Sequence, residues 1–189
     1  MIDQPLSGKT VAVLVANGFE ETDMTEPQRA LLGAGATIKL VSPEQGLVNG
    51  WHETVWGHYF PLDVALSAAL AADFDAILVP GGDRSIDKLK GNPHATRFVR
   101  GFVDGEKPVV AVGRGVDLLV AADRASGRRV AAFAGQDDAL REAGAIPVDE
   151  PVVIDGPLIT ARDDVDVGVL KGEIVRQFVE LAGAMAAAA

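Results

Sequence analysis

Thr10–Ala16 reads TVAVLVA, a run with no charge and no alternation of polar and apolar residues. A strand with one wet face alternates with period two, whereas a strand covered on both faces reads as a continuous apolar run. The stretch is therefore read as a central strand buried on both sides. Asp75–Val79 (DAILV) and Val109–Val112 (VVAV) have the same character. Helical patterns lie between and after them. Thr25–Ala34 has Thr25 as its cap, Pro27 in its first turn, and Gly33 and Gly35 at its end. Pro93–Val103 and a stretch from Gly115 to about Ala122 follow. Short apolar runs alternating with helices predict an α/β protein with a largely parallel sheet.

Working outward, Ala36–Val41 reads as a second strand, stopped by Ser42-Pro43. Leu47–Leu62 breaks the rhythm with aromatic and β-branched residues, two glycines and no helical period, and reads as an antiparallel excursion. Val130–Phe133, Val152–Ile154 and Leu158–Ala161 are short strands, with Gln136–Ala143 helical. In a last helix, Val167–Ala184, the residues Leu170, Ile174, Phe178, Leu181 and Met185 form one apolar stripe. Neither a Pro/Gly/Ser linker nor an internal repeat divides the chain, so residues 1–189 are read as one domain with helices on both faces of a twisted sheet. Ligands of such sheets bind beyond the carboxyl ends of the strands. That rule selects three loops: Asn17–Met24, Gly81–Ser85 and Gly113–Asp117.

The composition narrows the chemistry. With 27 acidic against 17 basic residues the formal net charge is -10. Nucleic acid and anionic membrane are therefore not expected as partners, because both need a basic face. No basic start with an apolar run marks a secretory peptide, and no apolar stretch is long enough to span a membrane, so a cytoplasmic protein is expected. The chain contains no cysteine. Disulfides, thiolate metal sites and cysteine nucleophiles are excluded. His52 and His58 are an even number of residues apart, which places them on one face of a straight strand. No further ligand stands at a recognisable spacing, so neither a metal nor a cofactor is expected.

The selected loops also carry a family resemblance. VAVLVANGFEETDMTEPQRAL (Val11–Leu31), VSP (Val41–Pro43) and GWHETVWGHYF (Gly50–Phe60) are followed by DFDAILVPGG (Asp73–Gly82), KPVVAVGRGVDLL (Lys107–Leu119) and VVIDGPLITAR (Val152–Arg162). In this order, from Gly8 to about Ala182, the chain resembles the DJ-1/PfpI superfamily, in particular its intracellular-protease-like branch. The resemblance implies a flavodoxin-like three-layer α/β sandwich with a mostly parallel central sheet. It also implies a homodimer or higher oligomer with the pocket near a subunit interface. In that family a Cys-His-Gly triplet follows the fourth buried strand, the cysteine sitting on a tight strand-to-helix turn. Here the triplet is Gly113-Arg114-Gly115, and the family's thiol-contacting glutamate aligns with Asp23. Peptidase, glyoxalase-like and deglycase chemistry that depends on a thiol is therefore excluded. Thr22, Thr25 and Ser85 are the nearby alcohols, and none has a histidine beside it in sequence to activate it.

What remains is charge and backbone. Glu20 and Asp23 are a potential acid/base pair, since neighbouring carboxylates in a cleft have their pKa values pushed apart. The plain alternative is a row of solvated acids ahead of a helix. Gly81 and Gly82 would bring backbone N–H groups to a ligand, or simply turn the chain. Arg114 would hold a carboxylate or phosphate, or else pair with Asp117, Asp83 or Asp23. Asp117 would join the substrate-binding set or merely sit well at a helix start. Gly113 is placed with the substrate-binding residues, at a strained turn that a glycine adopts freely. Trp51, Trp56, Tyr59 and Phe60 are expected to pack on the core or on a neighbouring subunit, or to cover the pocket. Two functions follow. One is a repurposed, cofactor-free enzyme acting on a small polar or carbonyl-containing molecule through Glu20 and Asp23. The other is a pseudoenzyme with a binding, stress-response or chaperone-like role.

Overall fold

Strand β1 (Thr10–Leu14) shows why the sheet has two covered faces. Val11 and Val13, with Val15 just beyond the strand, join one apolar cluster. Ala12, Leu14 and Ala16 join the other. Alternate residues of a pleated strand point to opposite faces, and here both are buried. A computed structural model describes residues 4–132, 135–162 and 167–188.

The chain runs on through β2 (Phe19–Glu20), α1 (Glu21–Gly33), β3 (Thr37–Ser42), β4 (Leu47–His52), β5 (Val55–Pro61) and β6 (Val64–Ala65). Next come β7 (Ala76–Val79), α2 (Asp83–Lys90), α3 (Pro93–Asp104), β8 (Val109–Val112) and α4 (Asp117–Ala121). The last elements are β9 (Arg129–Ala131), α5 (Asp137–Glu142), β10 (Ile146–Val148), β11 (Val152–Asp155), β12 (Leu158–Ala161) and α6 (Val167–Ala188). Seven strands form the main sheet in the order β11-β12-β8-β7-β1-β3-β6. All its pairs are parallel except β11 with β12. This is a three-layer α/β sandwich. Helices α2, α3 and α4 cover one face through Ile86, Leu89, Phe98, Phe102, Leu118 and Leu119. Helices α1 and α6 cover the other through Leu31, Leu170, Ile174 and Phe178. Burying each such side chain contributes about 1.5–3 kcal/mol, so the two faces carry most of the fold's hydrophobic stabilisation.

Most expected elements are present, with informative differences. The helix expected from Thr25 begins at Glu21, so Thr25 is not its cap and Pro27 lies in its interior. The early start is set by Phe19 and Met24, both fully buried, which fix the chain against the sheet on either side of Glu20. Glu21 and Asp23 in the first turn suit the positive end of the helix dipole. The excursion at Leu47–Leu62 is an antiparallel hairpin of β4 and β5 joined to β2. His52 and His58 therefore lie on two different strands, and their even spacing has no bearing on a shared face. Of the aromatics expected to pack on the core or on a neighbouring subunit, Phe60 packs on the core, edge-on to Phe19 at 5.6 Å, whereas Trp56 and Tyr59 are 51% and 66% exposed on this chain. Phe133, in the strand expected over 130–133, and the side chain of Met185 fall outside the described residues. No helix among the described residues is long and apolar enough to cross a membrane.

Candidate active site

Chain direction in the sheet determines where a cleft can open. From β1 the chain crosses by α1 to β3 on one side; from β7 it crosses by α2 and α3 to β8 on the other. The connections diverge between β1 and β7, and such a switch point leaves a crevice at the carboxyl ends of the strands. The loops after β1 and β7 meet there. The Glu20 N–H donates to the Gly81 carbonyl at 3.0 Å, and the Ala16 N–H donates to the Ser85 hydroxyl at 3.0 Å. Ser85 is fully buried and spent on that tie, which removes it as a nucleophile.

A cleft of about 320 Å³ results, walled by Gly18, Glu20 and Asp23 from the first connection and by Gly81, Gly82, Asp83 and Arg84 from the second. Trp51 and Arg114 complete it. Asp23 is 6% exposed, and its Oδ2 accepts the Gly81 N–H at 3.0 Å, which fixes the carboxylate's direction. A side chain at Gly81 would lie 2.8 Å from that oxygen and 3.1 Å from the Val112 carbonyl, so only glycine permits this approach. Gly82 has a φ of 103°, and a Cβ there would stand 2.7 Å from the Glu20 nitrogen.

Glu20 is reached by the parallel pairing of β2 with β4, which sets it beside Trp51. Burial pushes its carboxyl pKa up; His52 and the Thr22 N–H pull it down, and Glu21 and Glu53 add to the rise. The carboxyls of Glu20, Asp23 and Asp83 thus line one cleft, and that of Glu20 has its pKa raised. Glu21, although 6% exposed, serves the hairpin instead. It accepts the His58 backbone N–H, lies 3.0 Å from His58 Nδ1, and fills the space beside Gly50 and Gly57.

The elbow after β8 keeps a left-handed turn. Gly113 has a φ of 52° and starts a 3₁₀ turn, Gly113–Val116, that runs into α4. Gly113 and Asp117 do not line the cleft; Asp117 stands behind Arg114. Its Oδ2 accepts from Arg114 Nε at 3.0 Å and Nη2 at 2.9 Å, and its Oδ1 accepts from Gln136 Nε2 at 2.7 Å. Asp83 and Asp87 approach the same guanidinium at 3.2 and 3.5 Å. Burial works against the Arg114 charge, but its hydrogen bond and attraction to Asp117, with Asp83 adding, raise its pKa overall. Three carboxylates therefore occupy Arg114 in this structure.

Trp51, which the sequence leaves between packing and covering the pocket, lines the cleft, and beside it stands Arg84, which the sequence does not single out. The Arg84 guanidinium carbon lies 4.1 Å from the Trp51 ring centroid and 5.5 Å from that of Trp56. The one sequence signal was the position of Arg84, two residues beyond Gly82 at the start of a helix. Among the described residues, no group of three or more histidine, cysteine or acidic side chains is placed to hold a metal.

Comparison with known proteins agrees with this architecture. The DJ-1/PfpI family profile matches residues 9–187. An uncharacterised protein of Staphylococcus aureus is 34% identical over 172 residues, covering 89% of this chain and 98% of that one. General stress protein 18 of Bacillus subtilis is 32% identical over 171 residues, covering 88% and 95%. Among solved structures, a two-domain protein of Anabaena variabilis with DJ-1/ThiJ/PfpI-like and ferritin-like domains superposes with a TM-score of 0.83 at 29% identity, covering 89% of this chain and 48% of that one. Schizosaccharomyces pombe DJ-1 shares the fold at a TM-score of 0.77 and 20% identity, covering 89% and 90%.

Proposed function

The chain belongs to the DJ-1/PfpI family, and from that premise we propose that it is a cofactor-free cytoplasmic enzyme whose chemistry has passed from a thiol to carboxylates. The substrate is a small polar molecule carrying a carbonyl group. The observation that carries this reading is the meeting of Glu20 and Asp23 in one cleft, one with a raised pKa and the other oriented by a backbone N–H. Asp23 takes a proton from the carbon next to the carbonyl while Glu20 gives its proton to the carbonyl oxygen, forming an enol. Reversal at a neighbouring atom, or loss of a leaving group, completes an isomerase-, lyase- or hydratase-type reaction. The Gly82 backbone adds polar support at the developing oxyanion.

Turnover of small carbonyl, epoxide and hydroxy-acid metabolites by the native protein, Asp23→Asn and Glu20→Gln tests this. Positioned acid/base groups contribute about 10²–10⁴-fold, and a kcat loss of that order is expected in each variant. Equal turnover of every substrate by all three proteins would sink the reading.

A second reading is favoured by a separate observation: one relative is a general stress protein, and Arg114 is held by three carboxylates rather than offered to a ligand. On that reading the chain is a stress-related binding protein without turnover. A strain lacking the protein discriminates the two, because Asp23→Asn restores stress survival only if no chemistry is needed.

A further inference from the structure

The cleft holds two guanidinium groups in opposite circumstances. Arg114 is bound by Asp83, Asp87 and Asp117. Arg84 lies against the Trp51 ring at 4.1 Å and has no acidic partner among the described residues. An indole face fixes the plane of a guanidinium without using its N–H groups, so the five donors stay available at its edge. Arg84 is exposed, and its stem lies against Gly18. A Cβ added at Gly18 would stand 2.7 Å from the Arg84 Cβ, so the first loop passes directly against the stem of the side chain. The other charges lining the cleft are the carboxyls of Glu20, Asp23 and Asp83. An acidic cleft in an acidic protein repels anions unless one cation is left unneutralised.

We propose that Arg84 is the anion-recognising residue of this cleft, and that the substrate carries a single oxyanion, a carboxylate or a phosphate monoester, beside its carbonyl group. The assignment rests on the carboxylate acid/base reading above and narrows its substrate class. It moves the role expected of Arg114 to a residue with free donors. Trp51 is a positioning residue, holding the guanidinium plane so that its fork faces the cleft.

Calorimetric titration with matched probes tests the assignment. Pyruvate is compared with pyruvamide, its uncharged counterpart, and dihydroxyacetone phosphate with dihydroxyacetone. The native protein is expected to bind at least one anion roughly tenfold or more tightly than its neutral counterpart, the scale of one charge-assisted contact. Whichever anion is preferred distinguishes carboxylate from phosphate. Arg84→Gln is expected to abolish that preference while leaving the neutral probe's affinity unchanged, and Arg84→Lys to retain part of it. Asp23→Asn, which disables the proposed base, is expected to keep the anion preference. Loss of turnover in Asp23→Asn together with an unchanged preference in Arg84→Gln would overturn the Arg84 assignment alone. An anion preference lost in Arg84→Gln, with turnover untouched in Asp23→Asn, would overturn the acid/base reading and leave the assignment standing. If native protein binds neither anion, or binds both no better than the neutral probes, the assignment is wrong.

Discussion

At the scale of single residues, the difference between Glu20 and Asp23 is one of surroundings. Asp23 lies 6% exposed with the Gly81 N–H on its carboxylate, while Glu20, paired in register with Trp51, has its pKa raised chiefly by burial. A carboxyl whose pKa is higher in the folded state than in the unfolded chain stabilises the fold fully below the unfolded value. That contribution is lost as pH rises through the folded value. Glu20→Gln removes the dependence. The variant is expected to gain thermal stability relative to the native protein as pH is raised from about 4 to about 7. Melting curves across that range check the sign, and a gap that stays constant or closes would contradict it. Arg114 carries a different lesson. Its place after β8 suggested ligand binding, but side chains from α2 and α4 converge on it. Sequence order does not show that convergence, because Asp87 belongs to a helix, α2, that the sequence pattern leaves unassigned beyond the loop at Gly81–Ser85.

Among the elements, legibility followed burial. β7 and β8 were readable because strands covered on both faces are written as unbroken apolar runs, and β8 was placed to the residue at Val109–Val112. α2 was not, being eight residues long with Ile86 and Leu89 as its large apolar anchors, too few for a period to stand out. The start of α1 was misplaced for another reason. Thr25 and Pro27 look like start signals, but the buried Phe19 and Met24 decide where the chain turns inward. The same limit hid Arg84, whose partner Trp51 is brought to it by the pairing of β2 with β4, a contact no local pattern records. The β7–α2 connection is where the cleft is most sensitive. A Cβ at Gly82 meets the backbone of the opposite loop, and its φ of 103° is strained for any other residue. Gly82→Ala is expected to lose about 1–3 kcal/mol in urea unfolding and to widen the cleft mouth. A loss within 0.5 kcal/mol, the range of about that size seen for neutral surface changes, would show that the two loops are not in register as described.

For the molecule as a whole, the sandwich and its switch point are those of the DJ-1/PfpI family, while the family's cysteine is absent. The elbow after β8 turns through Gly113 at a φ of 52°, and of its residues Arg114 reaches the crevice between β1 and β7. The chain has no cysteine to stand at that elbow, and the proposed chemistry rests instead on residues of the cleft walls, Glu20, Asp23 and Arg84. The missing cysteine was plain in the sequence, and so was the family. Which charged residues face the cleft was not, because that depends on three loops and a hairpin folding together. The most direct measurement is deuterium uptake from D2O at the carbon beside the carbonyl of pyruvate or dihydroxyacetone phosphate, followed by proton NMR. Native protein is expected to wash deuterium into at least one of these positions faster than buffer alone, with the excess rate abolished in Asp23→Asn and reduced in Glu20→Gln. Exchange by native protein at the buffer rate for both compounds, or the same excess rate in all three proteins, would contradict the account.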